Sequence, residues 1–172
     1  LLILFAVLGL FLLCSSNDLL TAYLAIELQS LAFYVLASFK RNSSYSVDAG
    51  IKYFILGAFS SSLFLFGVSL LYGVAGTINF EEFKDLFVNT FSETSNATLN
   101  ETSFFDVSLV KFGLVFILIS LLFKLAIAPF HTWAPDVYEG SPSASTFFFA
   151  VVPKLAIFVL LLRIFYCSFF GF

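Results

Sequence analysis

Residues 121–142 read LLFKLAIAPFHTWAPDVYEGSP. An apolar helical run carries a lysine, Lys124, and then meets Pro129. Proline has no N–H, and its ring disturbs the carbonyl four residues back, here that of Leu125. Backbone freed in this way is tolerated at membrane depth only where protein or water satisfies it. A cation beside a broken helix is a recurring device at transporter binding sites. The next apolar run repeats the arrangement, with Pro153 directly before Lys154 in VVPKLAIF, residues 151–158.

The composition places this stretch in a membrane. Only 11% of the 172 residues are charged, against roughly 25% in an average soluble domain, and 60% are hydrophobic. A soluble globular domain, a disordered tail and a nucleic-acid binder are excluded on these grounds. Eight Lys and Arg against eleven Asp and Glu leave no basic excess to grip phosphates. Cys14 and Cys167 lie in separate apolar runs without a CxxC, so they read as buried inert thiols. One histidine, His131, cannot build a bis-histidine haem. The sequence has no Met, even at position 1, which reads as a chain that starts inside a longer product or lacks its first residues.

At about 20 apolar residues per span, the chain divides as a single transmembrane domain, 1–172, with five spans near 1–14, 19–39, 49–74, 107–128 and 144–168. The first has neither the basic lead nor the cleavage site of a signal peptide. Asn17 or Asp18 suits the N-cap of the second helix. The stretch GAFSSSLFLFG, 57–67, is rich in small residues that permit close helix approach in lipid. Between spans, 76–106 holds an amphipathic helix, with Phe80, Phe83, Phe87 and Val88 on one face, expected at the membrane interface. A polar loop, 89–103, follows. The triplets at Asn42, Asn96 and Asn100 fit the glycosylation pattern but arise readily in Ser/Thr-rich loops. Residues 129–143 form the broken-helix segment, with Trp133 and Tyr138 read as interface anchors and Asp136 and Glu139 as solvated or capping. Lys40 and Arg41 make the 40–48 loop basic, which assigns it to the matrix or cytoplasmic side and the acidic 76–106 connection to the opposite side.

The residues that cost most to place in lipid carry the function. A charge at a helix centre costs roughly 2.5–3.5 kcal/mol. Glu27, Lys124 and Lys154 all fall well inside spans. A Glu27–Lys124 pair acting only as a packing brace accounts for two of them and leaves Lys154 as a second buried amine. A buried amine without a partner tends to lose its proton, which makes it a proton carrier. Lys52 lies nearer a span end. Arg163 can snorkel, and Lys40, Arg41, Lys84 and Lys111 read as surface charges. His131, whose side-chain type titrates near neutrality, suits a relay between a buried lysine and water.

These segments, with LLTAYLAIELQSLAFYVLASFKR (19–41) and DAGIKYFILGAFSS (48–61) in the same order, resemble the antiporter-like membrane subunits of respiratory complex I, NADH:ubiquinone oxidoreductase, and within them the subunit 2 branch. The resemblance covers nearly all of the chain outside 77–106. It implies an all-α polytopic membrane fold equivalent to one of the family's two inverted five-helix repeats, one helix broken. It implies a proton relay through Glu27, Lys52, Lys124, His131 and Lys154, each matching a charged or histidine position of that repeat. It further implies an enzyme subunit without a redox centre, binding no cofactor itself, with NADH, FMN, iron–sulfur clusters and ubiquinone elsewhere in the complex. The implied partners are other membrane-arm subunits, a second chain carrying the remaining helices if the subunit is split, and lipid, with no nucleic acid. A fragmentary product is the alternative to a split subunit. The implied setting is the mitochondrial inner membrane, which a T-rich organelle genome encoding 26 Phe would suit, with the bacterial plasma membrane as the alternative. A cation/proton antiporter subunit, or a structural membrane subunit, accommodates the same buried charges.

Overall fold

The structure, a computed structural model, describes residues 1–40, 42–84 and 101–168, without the side chains of 101–107, 167 and 168. Arg41, Phe87, Val88, Asn96 and Asn100 lie outside the described residues, as does most of the 89–103 stretch. Among the described residues the principal helices are, in order, α1 (Leu2–Ser15), α2 (Leu19–Ala37), α3 (Ser44–Ala75), α4 (Glu101–Leu125), α5 (Trp133–Gly140) and α6 (Ser143–Arg163). A π-helical turn, Ile164–Ser168, extends α6. The region is helical because long apolar runs in lipid must satisfy every backbone group internally.

Among the described residues, four helices are long and apolar enough to cross a membrane: Leu19–Ala37, Ser44–Ala75, Ser108–Leu125 and Ser143–Tyr166. α1 has 14 residues and falls short of that length, where five spans were expected. α3 starts at Ser44 instead of 49, because the polar residues 44–48 continue the helix. α4 starts at Glu101, inside the stretch read as loop, and ends at Leu125. The span of α2 is the most enclosed, 56% buried against 33% for those of α4 and α6, so the helix bearing Glu27 is the central one.

Small residues set a close crossing of α3 and α4. A Cβ on Gly67 of α3 would stand 2.7 Å from the carbonyl oxygen of Gly113 on α4, so the two backbones touch where neither carries a side chain. Ser120 donates to the Ser60 carbonyl at 2.7 Å across the same pair. Both Gly67 and Ser60 belong to the small-residue stretch 57–67, which does what its composition suggested.

The two ends of the bundle separate clearly. At one end, Leu19 N–H donates to Ile78, Phe80 N–H donates to Asn17, and Arg163 reaches the Ser16 carbonyl. Asp18 precedes α2 as expected, but its side chain makes no capping bond. The backbone bonds at this end pull 78–84 onto the bundle. Phe80 and Phe83 are therefore buried in the main apolar cluster, their rings covered by protein. Cys14 is exposed on α1, against the expectation of burial. At the other end stand the 38–43 turn, the start of α3 and the break between α4 and α5. The turn at Lys40 and residues 78–84 thus occupy opposite ends.

Candidate functional site

The break itself is built by the backbone. α4 stops at Leu125, and Ala126 takes the left-handed conformation at φ 56°. The Phe123 carbonyl, robbed of its helical continuation, accepts from Ala126 N–H at 3.0 Å and from the Trp133 indole N–H at 3.1 Å. Trp133 stacks on Tyr53 at 5.1 Å and on Phe123 at 5.8 Å. It is buried, so it staples α5 to α3 and α4 and does not anchor the chain at a lipid interface. The helix end next to Lys124 is thereby fixed by protein groups.

Five helices converge on a cavity of about 30 Å³ beside this staple, room for about two water molecules. α2 contributes Gln29, Ser30, Phe33 and Tyr34; α3 contributes Tyr53, Gly57 and Ser60. α4 supplies Phe123 and Lys124, α5 supplies Trp133 and Tyr138, and α6 supplies Phe149, Pro153, Lys154 and Ile157. Pro153 sits inside α6, where it removes the N–H that would serve the Phe149 carbonyl. The cavity lies at the seam between the two apolar clusters, one holding Ile157 and the other Phe33, Trp133 and Phe149.

Its wall is polar. Gln29 Oε1, the Tyr34 hydroxyl and the Tyr138 hydroxyl are buried without a hydrogen-bond partner in the protein. A roomy cavity with several orphaned polar atoms is where buried water binds. Gln29 is only 2% exposed, so the bulk phase cannot serve it.

The expected site residues divide. Lys124 and Lys154 are brought together on this cavity, both half-buried. Glu27 stands on α2 three residues before Ser30 and does not itself line the cavity. Its Oε1 is buried and unpartnered, and no Glu27–Lys124 contact at ion-pair distance exists. The closed brace that sequence alone allowed is therefore absent. Lys52 stands apart: its ammonium meets Asp136 at 2.7 Å, both side chains more than half exposed, in the one salt bridge among the described residues. Asp136, expected to be solvated or capping, thus ties α5 to α3. His131 is exposed in the break and does not line the cavity. Lys154 Nζ lies 5.8 Å from the centroid of the Tyr138 ring, within reach of a cation–π contact. Tyr138 is half-buried against Trp133 and Phe149, which corrects its reading as an interface anchor.

Long apolar helices, one broken beside a half-buried lysine, around a small cavity that two lysines share, define a polytopic membrane protein of antiporter-like architecture. The chain belongs to the NADH:quinone oxidoreductase/Mrp antiporter transmembrane family, whose model matches residues 16–171. It is 48% identical over 163 residues to NADH-quinone oxidoreductase subunit N 1 of Acidiphilium cryptum, covering 95% of this chain and 31% of that protein. It is 49% identical over 158 residues to NADH-ubiquinone oxidoreductase chain 2 of Marchantia polymorpha, covering 91% of this chain and 30% of that one. Among solved structures, a chain of respiratory complex I from Thermus thermophilus superposes with a TM-score of 0.74 at 36% identity, over 94% of this chain and 33% of its own. A chain of the Mrp complex from Dietzia sp. shares the fold at TM-score 0.80 and 24% identity, over 98% of this chain and 29% of its own. The chain spans about a third of the length of the curated relatives it matches.

Proposed function

We propose that this chain forms the proton-translocating part of a membrane-arm subunit of NADH:quinone oxidoreductase, acting with other membrane-arm subunits in the mitochondrial inner membrane. The observation that carries the reading is the cavity shared by Lys124 and Lys154, with Glu27 on α2, one of whose carboxylate oxygens is buried without a hydrogen-bond partner. An opposite charge nearby favours the charged form of an amine, and its withdrawal releases the proton. Glu27 stands where it can do this to Lys124 without locking it. Water in the cavity then joins Lys124 to Lys154. Lys52, paired to Asp136, and His131 belong to the exposed end, where the relay meets the surface or a neighbour. The free energy comes from quinone reduction elsewhere in the complex, which also holds NADH, FMN and the iron–sulfur clusters. A second chain supplying the remaining helices completes the subunit if it is split.

Identity of 48–49% to relatives named as oxidoreductase subunits, against 24% to the Mrp complex chain, favours this reading over a cation/proton antiporter. The test is Lys124→Met in the assembled complex reconstituted in liposomes. Proton pumping per NADH oxidised is expected to fall several-fold, and Glu27→Gln to lower it as well. Wild-type pumping by an intact Lys124→Met complex would leave only a structural role.

A further inference from the structure

Tyr138 is held more closely than its place in a polar connecting segment suggests. Its ring packs on Phe149 at 5.8 Å and edge-on to Trp133 at 6.2 Å, which fixes its orientation. The Lys154 ammonium lies 5.8 Å from the ring centroid, and an ammonium over an aromatic face is attracted by the negative quadrupole of the ring. The hydroxyl is buried with no partner in the protein, and Tyr138 lines the cavity together with Lys124 and Lys154. On a helix, residues two apart face opposite ways, so α5 turns Asp136 outward to Lys52 and Tyr138 inward to Lys154. The titratable groups around the same cavity are Tyr34 from α2, Tyr53 from α3, Lys124 from α4 and Lys154 from α6.

We propose that Tyr138 is a positioning residue for Lys154, its ring face holding the ammonium at the cavity wall in register with the water path. The inference rests on the relay reading and deepens it. It gives the short helix after the break a task that a plain connector does not have.

The experiment measures proton pumping and its pH profile in the assembled complex, for Tyr138→Phe, Tyr138→Leu, Lys154→Met and the Tyr138→Leu/Lys154→Met double variant. Tyr138→Phe keeps the ring and is expected to retain most pumping with the wild-type profile. Tyr138→Leu is expected to lower pumping about threefold or more and to displace the pH profile. The double variant is expected to match Lys154→Met alone, because the tyrosine acts through the lysine. Wild-type pumping in Tyr138→Leu, equal loss in Tyr138→Phe and Tyr138→Leu, or an added loss in the double variant would each overturn the proposal while leaving a Lys154 relay standing. Wild-type pumping in Lys154→Met would instead remove Lys154 from the relay, and this proposal with it. Should Tyr138→Leu not assemble, Tyr138→Met removes the ring with a side chain that adapts to gaps, and it is judged by the same outcomes.

Discussion

Gly57 shows how finely single residues shape the cavity. A Cβ there would overlap the Tyr34 hydroxyl and stand 2.8 Å from Tyr34 Cζ, so only glycine lets that ring reach α3. Gly57→Ala must move the ring or the helix. Overpacking of this kind costs roughly 1–3 kcal/mol, so the thermal midpoint of the solubilised complex is expected to fall. Adding Tyr34→Phe, which removes the nearest atom, is expected to recover part of the loss. At this scale the sequence displays some of the site and hides the rest. Glu27, Lys124 and Lys154 are conspicuous because an ionised group in an apolar run has no cheap explanation. Tyr34, Tyr53 and Tyr138 are not, because a tyrosine among apolar neighbours reads equally well as packing or as an interface anchor. Only the convergence of α2, α3 and α5 brings the three tyrosines to one cavity. Gln29 carried a signal, a fully polar side chain two residues from Glu27, but its neighbours are set by tertiary contact.

Among the elements, the break after α4 is the decisive one. Pro129 and its polar surroundings located it in the sequence, while the groups that satisfy it come from elsewhere. Trp133 caps the Phe123 carbonyl, and its ring spans Tyr53 and Phe123. Trp133→Phe keeps most of the stack and loses the hydrogen bond. Since Ala126 N–H still serves that carbonyl, the cost is expected to be about 1 kcal/mol, read as a small drop in thermal midpoint with assembly preserved. A loss of assembly would mean that the indole bond holds the break by itself. The segment after α3 misled for a related reason. Its alternating Phe and charged residues give an amphipathic pattern, and a pattern cannot say whether lipid or protein covers the apolar face. Two backbone bonds, Leu19 to Ile78 and Phe80 to Asn17, draw it onto the bundle. The start of α3 was hidden by polar residues 44–48, which extend the helix beyond the apolar window.

Across the whole molecule, the helices carry the turn at Lys40 and the described residues after α3, 78–84, to opposite ends. The positive-inside rule assigns the first to the matrix or cytoplasmic side. Cysteines placed at Lys40 and at Glu81, both exposed, are expected to react with a membrane-impermeant maleimide from opposite sides of sealed vesicles, Glu81→Cys from the intermembrane or periplasmic face. Labelling of both from one side would break the topology. The layout also shows how charges of both signs are held inside apolar helices: the most enclosed helix, α2, carries Glu27, and the cavity between the two apolar clusters admits the lysines. The most direct measurement is a map of the intact complex, in its membrane lipid, that places individual waters. Water between Lys124 and Lys154, with Glu27 separated from Lys124, is the result expected of a proton path. An empty cavity with Glu27 and Lys124 in closed contact would contradict it.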